Sequence, residues 1–314
     1  MDRNLALEFV RVTEAAAIAA AEWIGLGDGK AADKAAVDNM RTRFNQIDFS
    51  AIVRIGEGKK DEAAELYVGE ELGTGKGPKM EIAVDPLECT DSVAYGRYNA
   101  MSVIVAGNEG SLFSAPDTYM DKIGVGKEAA GVVDLDAPVK DNITKTARAM
   151  GKDVRGLTVM ILDRPRHEQL IAEVRDTGAR VRLVTDGDVA TAIAACMPDN
   201  EVDMILGVGG SAEAVLAAAP VKIMGGGFFA RFAPANEKHA ALVAEAGLDT
   251  KKIYSAEDLA KGDQLTFTAT GVIDGPFLRG VVYQPHAIVT HSVVLRGQSG
   301  TLRYIETHHD AYKK

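Results

Sequence analysis

Two carboxylates and a hydroxyl crowd the end of one apolar run. Ile82, Ala83 and Val84 lead into Asp85-Pro86-Leu87-Glu88-Cys89-Thr90, the stretch of this chain richest in groups that can do chemistry. Proline lacks the N–H of a sheet ladder and holds its predecessor extended, so Pro86 predicts a buried strand that stops with its acids at the tip. Asp85 and Glu88 stand three residues apart across the expected turn, and two anions drawn to one point repel unless a proton or cation lies between them. A hard divalent metal is the natural partner, and the Thr90 hydroxyl could orient a water or meet a phosphate. A strand end with a solvated acidic turn is the plainer alternative, and a short acidic motif alone does not separate the two.

Further acids stand where elements begin or end. Leu5, Phe9, Val12, Ala16, Ala19 and Trp23 predict a long amphipathic helix over 5–24, closed by Gly25, Gly27 and Gly29. Asp33 then falls near the start of a second helix, over 34–44, where capping alone would account for it. Ala51-Ile52-Val53-Arg54-Ile55 reads as a strand, and Glu57 follows it between Gly56 and Gly58, which let backbone and ligand come close.

Strands over 100–106 and 119–125 and a helix over 140–150 complete an N-terminal half of α+β character with a mixed sheet, 1–150. Gly151 and Lys152 precede a change to strict alternation, which sets off 151–314 as an α/β half with a largely parallel sheet. Its strands are expected over 158–162, 181–185 and 204–208, with helices over 166–177, 189–195 and 213–219. Ligands bind at the carboxyl ends of such strands. Arg164-Pro165-Arg166, Asp186-Gly187-Asp188 and Gly209-Gly210 before Glu213 all lie there. The arginines suit a phosphate, or are simply solvated; the aspartates suit sugar hydroxyls, or cap the next helix. The segment beyond, with a helix over 235–246, a capping box at Ser255 and strands over 265–270, 288–295 and 301–305, carries no assigned chemistry, and His308-His309 reads as a surface pair.

Composition narrows the classes. A chain of 314 residues, 46% hydrophobic and 25% charged, is an ordinary soluble globular protein. Its net charge of −10 opposes a nucleic-acid surface, and the charged residues within the alanine-rich start exclude a signal or membrane segment there. Two cysteines suit a reducing compartment without disulfides, so a cytoplasmic protein is expected.

The chain resembles the class II fructose-1,6-bisphosphatases, within the lithium-sensitive, metal-dependent sugar and inositol phosphatases. The resemblance rests on Arg11-Val12-Thr13-Glu14, Ala32-Asp33, Ile55-Gly56-Glu57-Gly58 with Asp61-Glu62-Ala63, and Val84-Asp85-Pro86-Leu87-Glu88-x-Thr90. It continues through Ala115-Pro116-Asp117-x-Tyr119-Met120, Pro165-Arg166-His167, Asp186-Gly187-Asp188-Val189-Ala190, Gly209-Gly210-x-x-Glu213 and Thr268-Ala269-Thr270-Gly271-Val272. It implies an α/β fold of the layered αβαβα, inositol monophosphatase-like kind, and hydrolysis of the 1-phosphate of fructose-1,6-bisphosphate. It implies divalent metal, manganese before magnesium, on Asp33, Glu57, Asp85, Glu88 and Glu213, with Thr90 orienting the attacking water and Asp33 as its acidic partner. Substrate contacts are implied for Glu88, Cys89, Thr90, Tyr119, Arg164, Pro165, Arg166, Asp186, Gly187, Asp188 and Gly210. A small-molecule sugar bisphosphate is the expected partner, without nucleic acid or membrane, in a homodimer or homotetramer.

Departures from the family pattern gather near the expected phosphate. Cys89 stands in place of glycine, Leu26 and Gly29 replace arginine and lysine, Lys34 replaces glycine, and Ala212 and Ala214 replace proline and glycine. They leave room for sedoheptulose-1,7-bisphosphate or another sugar phosphate as substrate, or for a weakened sugar-phosphate binder. Gly207-Val208-Gly209-Gly210 also raises a dinucleotide-binding oxidoreductase, on an incomplete fingerprint.

Overall fold

Helix α1, Leu5–Ala21, buries Leu5, Phe9, Val12, Ala16 and Ala20 along one face, as their spacing dictates. This computed structural model describes residues 5–58, 65–197 and 200–310, so Asp61, Glu62 and Ala63 of the resemblance lie outside the described residues. The chain leaves α1 through Gly25 and Gly27, both at positive φ, whose N–H groups bond to the carbonyls of Val93 and Ala94. Helix α2, Gly29–Phe44, begins earlier than expected because Asp28 caps it, its carboxylate accepting the Ala31 N–H at 3.0 Å. Asp33 therefore lies inside the helix and does not cap it. Phe9, Phe44 and Phe49 meet with ring centroids 5.7 to 6.2 Å apart, joining both helices to the start of the sheet.

The first sheet takes β1, Ser50–Ile55, β2, Glu71–Leu72, and β3, Lys79–Glu88; then come helix α3, Thr90–Tyr95, and strand β4, Ala100–Gly107. Strand β3 runs parallel to β1 and antiparallel to β4. It does not stop at Pro86. The register against β4 shifts between Asp85 and Glu88, and this irregularity spares Pro86 a ladder hydrogen bond, so the strand continues to Glu88.

The chain then builds a second sheet. Its elements are β5, Tyr119–Val125, α4, Val139–Ala149, β6, Thr158–Leu162, α5, Glu168–Asp176, β7, Arg180–Val184, α6, Asp188–Ala194, and β8, Met204–Gly210. They continue through α7, Ser211–Ile223, β9, Gly227–Phe232, α8, Glu237–Glu245, β10, Tyr254–Ser255, and α9, Ala256–Leu259. The strand order is β10-β9-β5-β8-β6-β7. Strand β6 is parallel to β7 and β8 as expected, but β5, β9 and β10 run antiparallel to their neighbours, so this sheet is mixed rather than largely parallel. Ile123 and Val125 of β5 pack with Ile143 of α4 and with Ile171 and Val174 of α5. Lys122, alternating with them, faces the other side.

Strands β11, Thr266–Ile273, β12, Val282–Tyr283, β13, Ala287–Arg296, and β14, Thr301–Asp310, return to the first sheet. There β11 pairs with β4 and β13, and β13 with β12 and β14, all antiparallel. The chain consequently divides into one compact unit of 1–114 with 262–314 and another of 115–261. The expected boundary at 150 is only the end of α4. Sheet membership decides the division: β5 is bonded between β8 and β9, and the C-terminal strands join the first sheet through β11, which is bonded to β4. Both units are α/β, and among the described residues no helix is long and apolar enough to cross a membrane.

Candidate functional sites

In the first unit, Glu57 stands just past β1 on a tightly supported turn. A Cβ on Gly56 would collide with the Leu66 carbonyl, so the closeness that glycine permits here is to the protein's own backbone. The Glu57 N–H bonds to that same carbonyl at 3.0 Å. Burial pushes the Glu57 carboxyl up to about 7, and the neighbouring charge of Asp33 adds to the shift; burial raises Asp33 as well. The structure thus brings these two acids, 24 positions apart in the chain, into electrostatic contact.

Asp85 is half-buried and its Oδ1 accepts the Leu87 N–H at 3.1 Å, which folds the carboxylate over the shifted register of β3. Glu88 is buried at the strand's last position. Cys89, also buried, sits in the left-handed region at φ +71 and ψ +51 immediately before α3, a conformation that favours glycine. Thr90 opens α3 and donates its hydroxyl to the Leu87 carbonyl at 3.1 Å, leaving oxygen lone pairs to accept from a water. Gly29 lies against this residue, where an added Cβ would stand 3.1 Å from the Thr90 methyl carbon.

In the second unit, the candidates gather at strand tips. Tyr119 begins β5 with its ring flanked by the Arg166 guanidinium, 5.1 Å from the centroid, and by the His239 ring at 5.5 Å. Arg164 donates to the Asp163 carbonyl, while Nε and Nη2 of Arg166 both donate to the Val208 carbonyl, which anchors the arginine fork to β8. Pro165 begins the short 3-10 turn that carries them. Asp186 accepts the Gly187 N–H, and Gly187, at φ +104, turns the chain into α6. Asp188 is the first residue of α6, and its Oδ2 meets the buried Nζ of Lys122 at 2.5 Å.

Glu213 lies in the first turn of α7, where its carboxylate folds back over Gly210 and takes its own N–H. Burial raises its pKa, Lys122 lowers it, and Asp188 and Asp186 raise it further. The glycines of β8 are filled by this protein's own side chains. A Cβ on Gly207 would meet the His167 ring, one on Gly209 the Asp188 carboxylate and one on Gly210 the Glu213 carboxylate. That removes the close backbone approach a dinucleotide needs.

Lys122, His167 and His239 belong to this neighbourhood without standing in the motifs as ligands. His167 is buried, with Nδ1 2.8 Å from the Leu162 carbonyl and Nε2 accepting the Val208 N–H at 2.8 Å, and so ties the tips of β6 and β8 together. The sequence signals were His167 within the Pro165-Arg166-His167 motif and a lysine inside the apolar strand β5.

The donor chemistry suits a hard cation. Asp33 and Glu57 offer oxygen ligands where water is scarce, and each would be relieved by a divalent ion. Among the described residues, no three carboxylate, imidazole or thiol groups gather closely enough to form a ready-made cage. The first unit provides a pair, with Asp85 bound into its own turn.

These features describe an α/β protein equipped for a divalent cation and for an anionic, hydroxyl-bearing ligand. The family of bacterial fructose-1,6-bisphosphatases encoded by glpX matches residues 3–309, and the chain belongs to it. It is 43% identical over 329 aligned residues to the fructose-1,6-bisphosphatase class 2 of Haemophilus influenzae, covering 100% of this chain and 99% of that protein. It is 41% identical over 322 residues to fructose-1,6-bisphosphatase 1 class 2 of Escherichia coli, covering 98% of this chain and 96% of that one.

Proposed function

We propose that this chain hydrolyses the 1-phosphate of fructose-1,6-bisphosphate in a divalent-metal-dependent reaction, a step of gluconeogenesis that yields fructose-6-phosphate and phosphate. Family membership across residues 3–309 is the observation that carries this. The proposed metal ligands are Asp33, Glu57, Asp85, Glu88 and Glu213, with manganese preferred over magnesium. Bound metal would supply hydroxide from water and neutralise charge on the phosphoryl oxygens.

The protein's own groups do the positioning. Thr90, its proton engaged by the Leu87 carbonyl, accepts from the attacking water, and Asp33 is the acidic partner of that step. Arg164 and Arg166 meet the phosphate with Tyr119 beside them, and Asp186 and Asp188 accept from sugar hydroxyls. Glu88, Cys89, Pro165, Gly187 and Gly210 shape the surrounding backbone. We place the protein in the cytoplasm, in keeping with its two cysteines, and, on the family resemblance, as a homodimer or homotetramer.

The test is phosphate release from fructose-1,6-bisphosphate with manganese, with magnesium, and with excess chelator. Release that needs metal supports the proposal. Full release under chelation overturns the metal dependence, and no release with either metal overturns the activity. Cys89 at φ +71 and Gly29 against the Thr90 methyl group favour including sedoheptulose-1,7-bisphosphate as a second substrate. Faster turnover of it would reassign the substrate, and binding without release would mark a weakened sugar-phosphate binder.

A further inference from the structure

A buried ammonium is among the costliest groups to place in a protein interior, and Lys122 is only 3% exposed. Its Nζ stands 2.5 Å from Oδ2 of Asp188, itself mostly buried. The lysine sits in the middle of β5, opposite Gly207 of β8 and Ala230 of β9. Three acids share this neighbourhood: the charges of Asp188 and Asp186 both act on Glu213, and that of Lys122 opposes them there.

A pair that served only stability would be a poor choice for this place, since a buried ion pair replaced by apolar residues is often no less stable. What the pair does achieve is orientation. Held by Lys122 on one oxygen, Asp188 is pressed over Gly209, in the very space that a Cβ there would take. Among the described residues Lys122 Nζ is the one hydrogen-bond donor to the Asp188 carboxylate, and the missing Cβ of Gly209 leaves the space that the carboxylate fills.

We infer that Lys122 is a positioning residue for substrate binding: it fixes the Asp188 carboxylate so that the remaining oxygen receives a substrate hydroxyl, and offsets the acidic charge that would otherwise repel a phosphorylated sugar. The inference rests on the proposed role of Asp188 as a substrate contact. Lys122 acts through Asp188 and touches no reacting atom, so its loss changes binding before it changes chemistry.

The experiment is a double-mutant cycle in the manganese-loaded full chain, with KM and kcat for fructose-1,6-bisphosphate measured for Lys122→Met, Asp188→Asn and the double variant. Each single variant is expected to raise KM by about tenfold with kcat within about threefold of the parent, and the double variant to be no worse than Asp188→Asn alone. Additive losses would overturn the inference, because Lys122 would then act independently of Asp188. An unchanged KM for Lys122→Met beside a raised KM for Asp188→Asn would overturn it too, leaving the substrate role of Asp188 standing. An unchanged KM for Asp188→Asn would instead overturn that role and the inference with it. Lys122→Met leaves a buried carboxylate without its cation, so thermal melts accompany the kinetics. Should it not fold, Asp188→Asn is compared with the double variant: equal KM values support the inference, and a higher KM in the double variant overturns it.

Discussion

The carboxylate of Asp188 occupies the space that a side chain on Gly209 would need. An alanine at 209 would meet the far end of a movable side chain rather than a backbone, so the fold should tolerate it while Asp188 swings away from Lys122. Gly209→Ala is expected to raise KM for fructose-1,6-bisphosphate by about tenfold with a loss of stability of about 1 to 2 kcal/mol. Steady-state kinetics and a urea melt check this, and an unchanged KM would show that the position of Asp188 does not matter to binding.

Glu57 sets a pH dependence. Its carboxyl ionises at about 7 in the fold against an ordinary 4.5, so the metal-free chain binds this proton more tightly folded than unfolded. The stabilising effect of that proton is full below pH 4.5 and is lost as pH rises through 7. Chelated protein should therefore melt at a lower temperature at pH 8 than at pH 5.5 through this group, and Glu57→Gln should flatten the difference. Manganese needs the ionised form, so its affinity should fall by up to about tenfold per pH unit below 7. A pH-independent affinity between 5.5 and 8, by calorimetry, would remove Glu57 from the ligand set.

Thr90→Ala should lower kcat by about a hundredfold or more and leave KM within about threefold, because a group that orients the nucleophile acts in the transition state. Loss of its bond to the Leu87 carbonyl should cost about 1 kcal/mol of stability, visible in the same melt. A rise in KM with kcat intact would assign the hydroxyl to phosphate binding.

Cys89→Gly should stabilise the protein and speed it. Relief of the left-handed backbone at φ +71 is worth about 1 to 3 kcal/mol, against about 1 to 2 kcal/mol for the buried thiol and its contact with Asn99, for a net gain of about 0.5 kcal/mol. Catalytic efficiency should rise severalfold as the backbone before Thr90 relaxes. A less stable or slower variant would show that the turn has been rebuilt around sulfur.

Periodicity and local punctuation made the elements legible from residue order: the α1 pattern, the alternation of strands and helices from 158 to 223, and the acids waiting at their ends. Family membership, too, was readable in the ordered motifs, because each lies within a few residues and needs no partner. Capping was misplaced, since Asp28 and Asp33 both suit a helix start and only the turn through Gly25 and Gly27, bonded to α3, decides that Asp28 takes the Ala31 N–H. Pro86 suggested a strand's end, but the register shift opposite β4 lets the strand pass it. The boundary at 150 failed for the same reason, because long-range hydrogen bonds between strands, and not composition, sort β5 and β11 into their sheets. Tertiary structure alone set Lys122 against Asp188, 66 positions away, and Glu57 against Asp33. Charges find partners through the packing of sheets and helices, where burial strengthens each interaction, and no local pattern in the chain encodes that proximity.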